Sequence, residues 1–145
     1  MYPKTCPQCG SAVELSRRAL QVPFRGHNVE VHDVVHGECT GCGEVYLGID
    51  EMEQLQKAAA SQMRESQGLL QPHEIKALRA SLGLSQTGLE RLLGVGAKTV
   101  VRWEKGTVFQ SATADRLMRL LHVMPEIAGV LSSEELYGRS RVSIR

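Results

Sequence analysis

The sequence has few aromatic residues, no long apolar run, and no cysteine after position 42. Its 145 residues include one Trp, two Phe and three Tyr, which excludes a large aromatic core. No run approaches the roughly 20 apolar residues that a membrane-spanning helix requires. Residues 1–5 are polar, and no basic stretch is followed by the apolar run of a signal peptide. We therefore expect a small cytoplasmic protein in a reducing compartment, with no membrane partner.

All cysteines lie in two pairs, each with two residues between its members: Cys6 and Cys9, then Cys39 and Cys42. Zinc binds four thiolates tetrahedrally, and two intervening residues let each pair wrap one side of the ion. Glycines within or directly after the pairs favour the tight turns that this requires. The pattern predicts one structural zinc ion, which would also supply folding energy to a domain of about 50 residues.

Other interpretations of the cysteines fit the rest of the sequence less well. Two disulfides are typical of secreted chains, and a redox dithiol needs only one pair, at the start of a helix. Three histidines, His27, His32 and His36, compete as ligands, but four thiolates already close the site. We interpret these histidines as surface or strand residues. Iron uses the same four ligands in rubredoxin-like sites and stays open as an alternative to zinc.

Residues between and after the cysteine pairs alternate apolar with polar, a pattern that predicts β-structure. The predicted hairpin has Gly26 and His27 at its reversal. Its two strands and a third short strand cover residues 20–26, 28–34 and 45–47. From residue 50 to about 67 the apolar spacing becomes three or four, which predicts a helix. The residues expected on its buried face are Met52, Leu55, Ala59 and Met63.

The second half of the chain has helical spacing throughout. Four helices are predicted to begin at Pro72, after Ser85, at Ala97 and after Ser111, because proline and serine suit those positions. Their expected inward residues are Ile75, Leu78 and Leu82; Leu89, Leu92 and Leu93; Val100 and Trp103; and Leu117, Leu120, Leu121 and Met124. The second and third helices, joined by a glycine-containing turn, predict a helix-turn-helix.

These patterns predict an α+β chain, in which a small zinc-bound β-hairpin and sheet domain with a helix precedes an all-α domain of five helices. The predicted segments are a zinc domain with its linker helix, a linker, a helix-turn-helix domain and a basic tail: residues 1–67, 68–71, 72–137 and 138–145. Residues 1–70 carry six Lys or Arg against nine Asp or Glu, whereas residues 71–145 carry eleven against seven. The basic half is expected to meet a polyanion.

The third helix offers a face for DNA. Val100 and Trp103 are apolar and are expected to pack inward. The opposite face is predicted to enter a major groove with Ala97, Lys98, Val101 and Arg102. Arg102 is the first choice for base recognition, because its guanidinium can bind guanine O6 and N7 together. Thr99 could contact a thymine methyl or the backbone, and Gln86 is placed for a phosphate at the start of its helix.

Several residue runs carry a resemblance to known proteins. Residues 78–79, 83–86, 92–95 and 99–106 resemble the Cro/CI (XRE-type) helix-turn-helix. With the cysteine pairs and residues 22–26 and 36–37, the chain from about residue 4 to 127 resembles the MqsA antitoxin family, also called YgiT-type zinc-finger antitoxins. In XRE domains the residue matching Glu104 usually pairs with an arginine of the first helix, so the resemblance implies a structural ion pair with Arg79.

The resemblance implies a type II antitoxin. Its zinc domain would neutralise a ribonuclease toxin, and its C-terminal domain would form a homodimer that represses its own operon at a palindromic operator. The alternative is a free-standing zinc-containing XRE-family transcription regulator without a toxin. We expect no enzymatic activity, because the sequence has no Ser/His/Asp set, no His-Glu-x-x-His and no thiol beyond the four cysteines.

The sequence departs from this pattern at several positions. Lys98 stands where characterised MqsA-like proteins have an asparagine that contributes to base recognition, so the operator should differ. Three further departures from the usual XRE residues are expected to weaken the second helix and its cap by about 1 kcal/mol each. They are Gly88, Glu90 and Gly96.

Overall fold

A computed structural model describes residues 1–133 and Leu136. The chain divides into two compact units, Met1–Ser66 and Gln67–Arg145. The predicted basic tail, residues 138–145, and residues 134, 135 and 137 of the predicted helical domain lie outside the described residues. No helix within the described part is both long and apolar enough to cross a membrane.

The first unit contains five short antiparallel strands. They are β1 (Val13–Ser16), β2 (Leu20–Phe24), β3 (His27–Val31), β4 (His36–Cys39) and β5 (Val45–Tyr46). Strands β1, β4 and β5 form one sheet in that order, while β2 and β3 form a separate hairpin. The predicted hairpin and third strand are thus present. Strands β1 and β4, which place the second cysteine pair, were not predicted.

The hairpin reverses one residue earlier than predicted. Phe24 pairs with His27, so Arg25 and Gly26 form the turn in place of Gly26 and His27. Both turn residues have positive φ, 49° and 79°, as in a type I′ turn, whose twist matches that of the flanking strands. Strand β3 also ends at Val31, before the predicted residue 34, because Asp33 adopts a left-handed φ of 62°.

One helix, α1 (Ile49–Ser66), completes the first unit. It buries Leu55 and Ala59 against Val22 and Val31 of the hairpin, and Met63 is buried as predicted. Met52 was also expected to be buried, but 46 % of it is exposed. Met52 lines an open groove together with Val45 and Leu47.

The described part of the second unit has five helices: α2 (Pro72–Ser81), α3 (Gln86–Leu93), α4 (Thr99–Lys105), α5 (Ala112–Val123) and α6 (Ile127–Leu131). Their core contains Ile75, Leu78, Leu89, Val100, Trp103, Ala114 and Met118. Ser85 and Ser111 cap α3 and α5 by accepting hydrogen bonds from Gly88 N and Ala114 N. Sheets followed by helices confirm the predicted α+β class.

The buried face of α5 differs from the predicted one. Leu121 is fully buried, but Leu120 and Met124 are 44 % and 42 % exposed. The residue that the sequence reasoning missed is Met118, which is fully buried. With Ala114 and Leu121 it follows a spacing of four and three, so these side chains share one stripe of the helix. Leu120 lies two residues from Met118 and therefore points to another side.

Candidate functional site

Two similar turns present the cysteines. In the first, Gly10 N donates to Cys6 O at 2.9 Å, and in the second, Gly43 N donates to Cys39 O at 3.0 Å. Both glycines have positive φ, 77° and 75°, a conformation that other residues resist. Each CxxC pair therefore lies in a tight loop whose closing residue must tolerate left-handed backbone.

Backbone pairing brings the two turns together. Val13 of β1 pairs with Cys39 of β4, and Thr40 N donates to Ala12 O at 3.0 Å. Gly41 approaches the first turn so closely that an added Cβ would collide with the Ser11 side chain. Pairing of β1 with β4 thus brings two cysteine loops side by side, although Cys9 and Cys39 are 30 positions apart in sequence.

The four thiols converge on one point. The Sγ atoms of Cys6 and Cys42 lie 3.7 Å apart, and those of Cys9 and Cys39 lie 3.4 Å apart. All four Sγ atoms lie within 4.8 Å of one another. Ligands at about 2.3 Å on a tetrahedron stand about 3.8 Å apart, so the cluster matches the zinc geometry. These separations exceed the roughly 2.05 Å of a disulfide bond, and all four thiols are free.

Chemistry and geometry therefore fit a single structural zinc ion held by Cys6, Cys9, Cys39 and Cys42, as predicted. The ion would cross-link the two loops and would supply no open coordination position for a substrate. None of the three histidines belongs to the cluster. His27 and His36 lie in strands β3 and β4, and His32 is exposed, in agreement with their interpretation as strand or surface residues.

Hydrogen-bond donors surround the thiolates. The Tyr46 hydroxyl lies 3.2 Å from Cys6 Sγ. This contact, together with backbone hydrogen bonds from Cys9 and Gln8, lowers the pKa of Cys6 to about 6 against the effect of burial. The backbone N–H groups of Gly41 and Cys42 lie 3.4 and 3.5 Å from Cys39 Sγ. Such donors favour the thiolate form that zinc requires. Tyr46 was not predicted, although its place four residues after the last cysteine was a usable signal.

The predicted DNA-contacting residues lie in α4 and the turn before it, except Gln86, which is the first residue of α3. Val100 and Trp103 are buried, as expected. The helix begins at Thr99, two residues later than predicted, because Lys98 adopts a left-handed φ of 62° at the N-cap. Ala97 and Lys98 consequently lie in the preceding turn. Among the predicted contact residues, Ala97, Lys98 and Arg102 are exposed, and Gln86, Thr99 and Val101 are half-buried.

A half-buried ion pair anchors α4. Arg79 Nε and Nη2 donate to the two Glu104 carboxylate oxygens at 2.6 and 3.2 Å, which agrees with the expected structural pair. Gln86 Nε2 also donates to Glu104 Oε2, at 2.8 Å. Burial raises the pKa of Glu104, but the hydrogen bonds from Arg79 and Gln86 outweigh it and hold the pKa below its usual value. Glu104 therefore joins α2, α3 and α4.

The fold and the metal centre define a zinc-stabilised β-domain joined to a helical unit with an exposed, cation-bearing helix. A family model described as the antitoxin component of a bacterial toxin–antitoxin system, MqsA, matches residues 4–131. The chain belongs to the MqsA antitoxin family, which confirms the resemblance to that family and assigns the chain an antitoxin role with a toxin partner. A comparison with curated proteins finds no significant match.

Proposed function

We propose that this chain neutralises a ribonuclease toxin through its zinc domain and represses its own operon as a DNA-binding homodimer. The observation that carries the proposal is the family match, which extends from residue 4 to residue 131 and so includes residues of both units. A regulatory family also supports the expectation of a non-enzymatic, cytoplasmic protein.

Charge supports a toxin site on the first unit. Residues 1–70 carry nine acidic against six basic side chains. A ribonuclease must bind a polyanion and is expected to be basic, so electrostatic attraction would favour its encounter with this unit. Zinc would hold the unit in the conformation that the toxin recognises, without taking part in chemistry.

Helix α4 is the proposed DNA-recognition helix, preceded by α3. Burial of Val100 and Trp103 leaves Arg102 exposed for a base edge. Lys98 and Ala97, in the turn before the helix, are assigned to base or phosphate contacts. Val101 and Thr99 are assigned to the groove, and Gln86 to a phosphate. The Gln86 amide has a second N–H, so it could contact DNA while bound to Glu104.

Exposed apolar side chains in the last part of the helical unit support the homodimer. They are Leu120, Val123, Met124, Val130 and Leu136. A second copy of the chain would remove such side chains from water symmetrically. A two-fold dimer would present two copies of α4 to a palindromic operator, about one DNA turn apart.

Co-expression tests the antitoxin function. The chain is produced together with the protein encoded beside it, and complex formation and cell growth are measured. Binding with relief of toxicity supports the proposal. Failure of both, with sequence-specific DNA binding intact, favours the alternative of a free-standing zinc-containing regulator without a toxin.

Base recognition is tested with Arg102→Ala. Loss of a bidentate contact to guanine should reduce the preference for the operator by about 1–3 kcal/mol. The matched control is Arg116→Ala, which removes an exposed arginine from α5. Competition binding with operator variants measures the preference, and an unchanged ranking of sites would assign base recognition to another residue. Binding of the wild type should also weaken steeply with added salt.

A further inference from the structure

Helix α4 starts without a cap from its own sequence. The first four N–H groups of a helix have no intrahelical acceptor and need another partner. At the N-cap of α4, Lys98 has left-handed backbone and its side chain makes no capping hydrogen bond. Gly96, two residues earlier, has no side chain to offer. The first N–H, that of Thr99, donates locally to Gly96 O at 3.3 Å, so the buried N–H of Val100 is the group that needs an acceptor from elsewhere.

Glu90 of α3 is that acceptor. Its Oε1 accepts a hydrogen bond from Val100 N at 3.2 Å. Val100 is fully buried and Glu90 is only 5 % exposed, so water is a poor substitute for either group. A carboxylate is also favoured at a helix N-terminus by the helix dipole. Within the described residues no salt bridge involves Glu90, so the α4 backbone is the identified partner of its charge.

The hydrogen bond from Val100 N to Glu90 Oε1 joins two different helices. The carboxylate belongs to one helix and the N–H to the next, so the bond fixes where α4 begins relative to α3. At the other end of α4, Glu104 is held by Arg79 of α2. A helix of seven residues is marginal by itself, so its placement depends on contacts with the rest of the unit. Val100 and Trp103 pack into the core, and the two carboxylates add a polar contact near each end.

We propose that Glu90 is a positioning residue for DNA recognition, because its buried carboxylate caps α4 and sets the helix at the depth and angle that Arg102 requires. This inference rests on the proposed DNA binding by α4. Glu90 was expected from the sequence only to weaken its helix. The structure assigns it a compensating role in place of the missing N-cap side chain.

The test compares Glu90→Ala and Glu90→Gln in the full zinc-bound chain, with Glu126→Gln as a control that removes an exposed charge from the same unit. Two quantities are measured. The first is the hydrogen-exchange rate of the Val100 amide, normalised to that of the Leu89 amide. The second is the ratio of affinities for a duplex selected from random DNA by the wild type and for a scrambled duplex.

Glu90→Ala should raise Val100 exchange and lower the affinity ratio, each by about tenfold, as expected for loss of one buried hydrogen bond. Glu90→Gln keeps an acceptor oxygen and should resemble the wild type, as should Glu126→Gln. The proposal is supported if, across the variants, the ratio of affinities for the selected and scrambled duplexes falls whenever the exchange rate of the Val100 amide rises. If exchange rises and the ratio stays constant, or the ratio changes while exchange does not, the proposal is wrong.

Two further outcomes are informative. If Glu90→Ala fails to fold, Glu90→Leu, which fills more of the space and also lacks an acceptor oxygen, is judged by the same criterion. If the wild type does not discriminate between the duplexes, DNA recognition by α4 is wrong and the recognition role of Glu90 is wrong with it. Val100 exchange would still show whether the capping contact exists, which separates the two failures.

Discussion

At the scale of single residues, the zinc centre depends on more than its four ligands. The Tyr46 hydroxyl lies 3.2 Å from Cys6 Sγ, and a hydroxyl at that distance from a metal-bound thiolate donates to it, holds it in place and stabilises its charge. Tyr46→Phe keeps the ring and removes only this donor. Loss of such an outer hydrogen bond typically reduces metal affinity by 10–100-fold, so we expect a decrease of about tenfold.

Competition with a chromogenic chelator measures that affinity. Tyr2→Phe is the matched control, because the Tyr2 hydroxyl donates to Val35 O at 3.4 Å and not to a ligand thiol. Equal zinc affinity in both variants would show that the Tyr46 hydroxyl does not support the thiolate.

Glu104 is a second residue whose ionisation has a measurable consequence. Its pKa is lowered because hydrogen bonds from Arg79 and Gln86 outweigh the effect of burial. A carboxyl with a lowered pKa in the folded state stabilises the fold at pH values above its unfolded pKa of about 4.3. That contribution is lost as the pH falls through the folded value. The helical unit should therefore become less stable below about pH 4.

Glu104→Gln tests this origin of the acid sensitivity. At pH 7 it leaves the guanidinium of Arg79, which is only 16 % exposed, without its charge partner, and should cost about 3 kcal/mol of unfolding free energy. Between pH 5 and 3 its stability should change less than that of the wild type. Urea denaturation at several pH values measures both effects. If the unfolding free energies of the two proteins change with pH in parallel, Glu104 is not the origin of the acid sensitivity.

At the scale of elements, predictability followed the strength of the hydrophobic pattern. The hairpin alternates over five residues per strand, and α1 has clear helical spacing, so both were predictable. Strands β1 and β4 have the sequences Val-Glu-Leu-Ser and His-Gly-Glu-Cys. Such short segments with one or two apolar residues carry little signal, and they pair with a partner at least 20 residues away in the sequence.

The candidate sites also differ in how far the sequence predicts them. The zinc ligands were predictable because coordination chemistry fixes both residue type and spacing. The start of α4 was not, because the left-handed conformation of Lys98 is unusual for a lysine. The cap provided by Glu90 depends on a contact between residues ten positions apart on different helices, for which no local pattern exists.

The segment before α2 is fastened to α5 by a buried carboxylate. Asp115 Oδ1 accepts from Leu70 N at 2.8 Å, and Gln110 Nε2 donates to both Leu70 O and Asp115 Oδ1 at 2.8 and 3.0 Å. Arg119 donates to Asp115 Oδ2 at 2.7 Å and to Gly68 O at 2.9 Å. Much of the predicted linker, residues 68–71, therefore belongs structurally to the helical unit.

Asp115→Asn should loosen this segment. The amide replaces a charged acceptor of three hydrogen bonds, two of them made at Oδ1, and the loss should cost about 2 kcal/mol. Faster hydrogen exchange at Leu70 and earlier proteolysis near residue 68 would accompany the lower stability. Arg116→Gln, on the exposed side of the same helix, is the control. Unchanged Leu70 exchange in Asp115→Asn would exclude the fastening role.

At the scale of the whole molecule, the two units have separate sources of stability. The first buries a small core of hairpin and α1 residues and holds the four-thiol cluster. The second buries its own helical core and contains the Arg79–Glu104 pair. Because a unit of 66 residues buries a limited area, metal binding is expected to contribute much of its folding free energy.

Loss of zinc should therefore unfold one unit and spare the other. Cys39→Ser removes a buried ligand that also lies in strand β4, so residues 1–49 should lose their structure while the helical unit still binds DNA. Hydrogen exchange by segment and DNA binding on the same sample measure the two parts independently. The wild type treated with a chelator should behave in the same way and recover when zinc is added back. If residues 1–49 stay protected from exchange without the metal, the zinc is not structural. If the helical unit loses DNA binding when residues 1–49 unfold, the two units depend on each other, and their separate cores are not sufficient for separate folding.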